Sequence, residues 1–398
     1  MSGKPGAPRY WDAHTHLSAG AADLSGLDLR AAATIAAAVV DAVRGAPAGT
    51  WVRGWGWNGI DEPIDAAPNH PTFLARRDGH AAWVNHAARL ALDLPLDRPV
   101  VAEAAFDAAR SRLPERSAAE RAFALRSRLH ELVAFRVGVV DDMVEHGGPE
   151  LYAVLRDRRE LPIRVGMWLP DGTDPQEAEA IRRSFPPDDP MLATRGIKTF
   201  LDGSLSARTA ALSRPYADDP GNCGELRMDA KAFQERVETW AVKGWPVAVH
   251  AIGDRAVGLA LDILERVPRP AAGTHRIEHA QVVSRSDLPR FRAAGIVASV
   301  QPAHFGDDRG FLEARLGDRP EVVAHPLRSF ATSGAQMVFG SDWPVSSWDP
   351  EAVLAGAVDG TRGDEALGAD EAAAWYTSRP PWPTKSSSKG SSSTASTA

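Results

Sequence analysis

The segment Asp12-Ala13-His14-Thr15-His16 is the first place in this sequence where chemistry is legible. In an extended strand, residues two apart point to the same side, so the imidazoles of His14 and His16 can converge on one ion. Three further ligand-type residues close apolar runs. His250 ends Val247-Ala248-Val249-His250, His279 ends Arg276-Ile277-Glu278-His279, and Asp342 ends Val338-Phe339-Gly340-Ser341-Asp342. A single histidine in such a place is ordinarily a hydrogen-bonded core residue. Five imidazoles and carboxylates at matching positions are hard to explain as packing, and together they form a donor set for a divalent cation.

Lys198 in Gly196-Ile197-Lys198-Thr199-Phe200 belongs to the same pattern and has three readings. A lysine in a buried strand must shed or pair its charge, because isolated burial is costly. It can pair with Asp202, it can reach water from the strand end, or it can be carbamylated by CO2. The last converts the amine to an anionic two-oxygen group able to bridge two cations.

These residues need elements that bring distant segments to one face. Eight short apolar runs recur along the chain, at residues 9–17, 137–142, 163–169, 196–200, 246–250, 275–279, 296–301 and 337–342. Such runs suit strands buried on both faces of a parallel sheet. Helical patterns lie between them, as at residues 229–242, 254–267 and 285–294. Strands alternating with helices predict an α/β protein, a (β/α)8 TIM barrel with its ligands at the C-terminal ends of the strands. A doubly wound sheet is the competing arrangement, but no Gly-x-Gly-x-x-Gly turn accompanies it.

One connection is out of proportion. About 120 residues separate the first run from the second, against the usual 2–6 residues of a βα loop. An inserted subdomain over about residues 45–130, covering the barrel mouth, is therefore expected within a catalytic unit of residues 9–377. Residues 1–8 are expected to be a short N-terminal extension and residues 378–398 a disordered Ser-rich tail, in which the stretch from Lys385 onward offers no apolar surface to bury.

Composition narrows the function further. The 398 residues are 44% hydrophobic and 24% charged, as in an ordinary globular protein, and the net charge is -7. That balance lacks the basic surface a phosphate backbone requires, so nucleic acid is not an expected partner. Cys223 is the one cysteine and cannot form an internal disulfide. No run approaches the roughly 18 apolar residues of a membrane span, and no secretory signal is visible, so a cytoplasmic protein is expected.

The motifs resemble those of the amidohydrolase superfamily, in its amidohydrolase family 3 branch with the N-substituted formamide deformylases. They are Asp12-Ala13-His14-Thr15-His16, Trp51 to Trp57, Asp78-Gly79-His80, Lys198 with Asp202 to Ala210, and His250 to Ala256. They continue through Arg276 to Gln281, Ser299-Val300-Gln301-Pro302 and Gly340-Ser341-Asp342-Trp343-Pro344. The resemblance implies that His14 and His16 hold the more buried metal with Lys198 and Asp342. It assigns His250 and His279 to a more exposed metal, with carbamylated Lys198 as the bridge. One or two ions fit this pattern. Zinc is the favoured cation, although the donor set also accepts iron, manganese or cobalt.

The activity so implied is hydrolysis of a non-peptide C–N bond in an amide, an N-substituted formamide or a cyclic amide. A metal-activated hydroxide attacks the carbonyl, and Asp342 carries the proton to the departing nitrogen, with His279 also in the catalytic set. Asp12, Asp254 and Glu278 are candidates to orient metal-bound imidazoles. His80 and Arg208 are candidates to face a small-molecule substrate, and Trp55, Trp57 and Trp83 to line an apolar pocket.

The chain departs from the family pattern at its ends. Both halves of the small β-sandwich are expected to be missing, and the insertion near Leu92 to Val101 is short. An uncovered flank would favour association into a homo-oligomer. Two other activities stay open beside C–N hydrolysis: a catalytically silent, truncated barrel, and a metal-dependent esterase or lactonase.

Overall fold

A computed structural model describes residues 10–23, 26–29, 34–57, 65–76, 81–102, 104–114, 116–186, 188–271 and 273–377. All eight apolar runs are strands of one sheet: β1 Tyr10–Thr15, β2 Val137–Met143, β3 Arg164–Pro170, β4 Leu192–Phe200, β5 Val247–Ala251, β6 Arg276–His279, β7 Val297–Val300 and β8 Met337–Phe339. They are hydrogen-bonded in sequence order, and every neighbouring pair is parallel. β6 and β7 are buried at every residue, as expected of parallel strands covered on both faces.

The sheet closes on itself beyond the end of β8. Asp342 N–H donates to the His14 carbonyl at 2.8 Å, and His16 N–H donates to the Trp343 carbonyl at 2.8 Å. Gly340 makes this approach possible: a Cβ there would stand 2.5 Å from His14 Cβ and 2.7 Å from its nitrogen. The architecture is a (β/α)8 barrel.

Helices cover the outside of the barrel. Ala118–Ala134 starts on a capping box between Ser117 and Glu120 and buries Leu125, Leu129 and Leu132 at four- and three-residue spacing against the main core. Ala230–Ala241 is capped by Asp229 and buries Phe233, Val237 and Trp240. Asp254–Leu264 and Leu288–Ala294 occupy the other two helical stretches read from the sequence, each with trimmed ends. Among the described residues, no helix is long and apolar enough to cross a membrane.

Between β1 and β2 the chain forms a second, five-stranded sheet. Its order is Leu27–Asp28, Val52–Trp57, Thr72–Arg76, Ala81–Val84 and Val100–Ala102, the first three parallel and the last two antiparallel to their neighbours. Its opposite faces bury separate clusters, one around Phe73 and Phe106, the other around Trp57, Leu74 and Trp83. Trp57 and Trp83 are thus packed inside the insertion instead of lining an open pocket. Trp55 packs against the barrel core and joins the two units.

Candidate metal centre

The site lies where the C-terminal ends of β1, β4, β5, β6 and β8 meet. His14 is fully buried, and its Nδ1–H donates to Glu278 Oε2 at 2.6 Å. That bond leaves the Nε2 lone pair free to face Asp342 Oδ1 at 3.3 Å. His16, just past β1, places its Nε2 3.4 Å from the same oxygen. The ring centroids of His14 and His279 are 5.0 Å apart, and those of His279 and His250 are 4.5 Å apart. One ligand atom each from His14, His279 and Asp342 lies within 4.8 Å of the others.

The backbone is strained at two of these residues. His279 has φ 71° and Asp342 has φ 56°, left-handed values that a side chain with Cβ adopts at a cost. Such strain persists only where the surroundings impose it, and it is common at functional sites.

Lys198 is 3% exposed on β4, so it does not reach water. Burial lowers its amine to about 8, and Arg276 adds to that effect against the pull of Glu278 and Asp342. The ion pair with Asp202 does not form. Asp202 instead accepts hydrogen bonds from the backbone N–H groups of Ala211, Ile252 and Gly253 at 2.8–3.0 Å. His250 Nε2–H donates to the Gly203 carbonyl at 3.1 Å, and burial with nearby Lys198 pushes that imidazole down to about 3.

Opposing effects act on the remaining groups. Burial raises Asp342, but His14 and His16 hold it well below the usual carboxylate range. Burial and Lys198 push His14 down, yet Asp342 and Glu278 prevail and pull it up. The pocket therefore favours positive charge where His14 Nε2 meets Asp342.

Among the described residues, five buried polar atoms around this point have no hydrogen-bond partner: His14 Nε2, Lys198 Nζ, His279 Nδ1, His304 Nε2 and Asp342 Oδ1. Each orphaned group costs about 1–3 kcal/mol if nothing meets it. Lone pairs on imidazoles and a carboxylate, converging in one buried pocket, fit a divalent cation.

The proposed orienting carboxylates act differently from one another. Glu278 serves His14, across the barrel, and not its sequence neighbour His279. Asp12 Oδ1 accepts from Ser341 N–H at 2.9 Å and from His14 N–H at 3.3 Å, so it braces backbone and not a ring. Asp254 accepts from the backbone and hydroxyl of Ser213, away from any imidazole. Arg208, expected at the substrate, is a forked partner of Asp218 at 3.0 and 3.2 Å in the loop after β4. His80 lies outside the described residues.

Two residues escaped the sequence reading. His304 opens the short helix His304–Asp308 after β7, and its Nε2 is 3.6 Å from Asp342 Oδ2. Its signal was position alone, three residues beyond Gln301. Arg276 lies in the barrel interior, bonded to Glu278 and Asp141. Its signal was the two-residue spacing from Glu278, which puts both charges on one face of a buried strand. A small cleft beside the centre is lined by His279, Gln281, Gln301, His304, His325 and Arg362 together with apolar residues such as Val300 and Leu327.

A family model described as the amidohydrolase family matches residues 7–391, nearly the whole chain. The chain belongs to the amidohydrolase family. The N-substituted formamide deformylase of Arthrobacter pascens is 26% identical over 440 residues, spanning 96% of this chain and 79% of that protein. The protein LONG AFTER FAR-RED 3 of Arabidopsis thaliana is 28% identical over 397 residues, 88% of this chain and 68% of that one. Crystal structures of uncharacterized metal-dependent hydrolases from Pyrococcus horikoshii OT3 and Pyrococcus furiosus both superimpose with a TM-score of 0.77. Their identities are 26% and 28%, over 93% of this chain and 79% and 80% of theirs. The family and these structures support metal-dependent hydrolysis.

Proposed function

We propose that this amidohydrolase cleaves a non-peptide C–N bond, in an amide, an N-substituted formamide or a cyclic amide. The observation that carries the reading is the set of five unpartnered buried polar atoms around Asp342. His14, His16, Lys198 as its carbamate, His250, His279 and Asp342 would hold one or two ions, with zinc as the cation. When bound, the metal supplies a hydroxide near neutral pH and polarises the substrate carbonyl.

The chain's own groups do the rest. Glu278 fixes the His14 ring in the tautomer that presents Nε2 to the centre. Asp342, held ionised by His14 and His16, takes the proton of the attacking water and returns it to the departing nitrogen. An amine leaves poorly without that proton. The neutral His250 keeps a lone pair available. The inserted sheet, tied to the barrel through Trp55, would cover the mouth and limit access of water. The lone Cys223 supports a cytoplasmic setting.

The test pairs metal analysis of the purified protein with turnover of formamides, cyclic amides and matched esters. Stoichiometric zinc with faster amide than ester hydrolysis is expected. Faster ester or lactone turnover would reassign the bond, and a zinc-loaded protein inert to the whole panel would leave a silent barrel.

A further inference from the structure

Directly beneath the metal centre, a single guanidinium ties four barrel strands together. Arg276, on β6, is 4% exposed. Its Nε donates to Glu278 Oε1 at 2.7 Å and its Nη2 to Glu278 Oε2 at 2.9 Å, a forked pairing that leaves the carboxylate no freedom to rotate. Nη2 also donates to the Ala13 carbonyl of β1 at 2.7 Å and to Ser299 Oγ of β7 at 2.9 Å. Nη1 donates to Asp141 Oδ2 of β2 at 3.0 Å. The guanidinium lies over the Trp168 ring of β3 at 4.7 Å, and Trp168 Nε1–H in turn donates to Asp141.

We propose that Arg276 is a positioning residue for the metal centre, acting through Glu278 on His14 and anchored from below by Asp141. This inference rests on the metal-centre reading above. Glu278 Oε2 receives both the Arg276 fork and the His14 Nδ1–H, so the direction of the His14 ring is set by where Arg276 holds that oxygen. The bond to the Ala13 carbonyl fixes the backbone immediately before His14 as well. One cation thus locates both ends of the ligand, its main chain and its ring. A lysine would supply the charge but not the planar fork.

A merely structural ion pair would stabilise the barrel without setting metal affinity, and the two roles separate in binding measurements. Zinc dissociation constants are measured by chelator competition for the full chain, for Arg276→Lys, for Glu278→Gln and for the double variant. The absorption spectrum of each Co2+-loaded protein reports ligand geometry. Arg319→Lys is the control, because Arg319 is a buried guanidinium bonded to the carbonyls of Leu316 and Arg214, remote from the centre.

Arg276→Lys and Glu278→Gln are each expected to weaken zinc about 10–100-fold and to shift the cobalt spectrum. The double variant should be no weaker than the worse single, since both break one chain of contacts. Arg319→Lys should lower Tm with zinc affinity intact. Should Arg276→Lys prove insoluble, Asp141→Asn decides, with a severalfold loss of zinc affinity expected. Wild-type affinity in Arg276→Lys or Asp141→Asn, or full additivity in the double variant, would overturn the proposal and leave the metal centre standing. Failure of the unaltered protein to bind zinc at all would remove both.

Discussion

His304 faces one oxygen of Asp342 while His14 and His16 face the other. Its Nε2 is 3.6 Å from Oδ2, whereas Oδ1 meets His14 and His16 at 3.3 and 3.4 Å. The short helix that begins at His304 is pinned at its far end, by Ser346 Oγ donating to Asp307 at 2.9 Å and by Gln281 donating to Asp308. His304 is therefore held in place beside the carboxylate proposed to carry the proton. His304→Ala should lower kcat by about tenfold or more while zinc content stays at the unaltered level. Steady-state kinetics with metal analysis of the same sample checks this, and an unchanged kcat would remove His304 from the reaction.

The double variant His14→Ala, His16→Ala should lose bound metal and remain soluble. The barrel core rests on apolar residues such as Val165, Ile197, Val249 and Phe339, which neither substitution touches. Elemental analysis and circular dichroism together decide it. Retained zinc would show that the imidazoles of β1 are not ligands.

Lys198 has no hydrogen-bond partner for its amine, and burial lowers it to about 8, which raises the share of uncharged nitrogen able to react with CO2. Protein stripped of metal and reloaded with zinc in CO2-free buffer should regain activity only when bicarbonate is added. Lys198→Arg should stay inactive with or without it. Full recovery in CO2-free buffer would mean that the lysine acts as a free amine.

Asp12 links pH to the stability of the metal-free protein. Burial raises its carboxyl from 3.8 to about 6, against the hydrogen bonds from Ser341 and His14. The folded chain then keeps a proton that the unfolded chain has already released, so this group's contribution falls as pH rises from about 4 to about 6. With 1.36 kcal/mol per pKa unit, the loss is on the order of 3 kcal/mol. Denaturant titrations of the metal-free protein across that interval should show the decline, and Asp12→Asn should flatten it.

Gly340→Ala tests the closure of the barrel. The added methyl would meet the His14 backbone and Cβ inside 3 Å, and backbone cannot step aside as a side chain can. A loss of about 1–3 kcal/mol is expected, with zinc affinity falling alongside because His14 is the residue displaced. An unaffected Tm would show that β1 and β8 separate freely at this point.

The amino-acid order by itself determined the periodic part of this protein. Apolar runs too short for helices, alternating with amphipathic helical stretches, leave a parallel sheet covered on both sides as the arrangement that buries them, and the ligand-type residues at the run ends follow onto one face. The i, i+2 rule likewise put His14 beside His16 before any coordinates. What only the tertiary structure decided was pairing across the barrel. Glu278 adjoins His279 in the chain yet serves His14, 264 residues away, because consecutive residues of a strand face opposite ways and the strand curves into a closed sheet. Asp254 follows His250 by four residues and still spends its oxygens on Ser213, since a helix begins there and carries it away from the imidazoles. His304 reaches Asp342 only through the placement of a loop, and loops carry no periodic signal from which such a contact could be read.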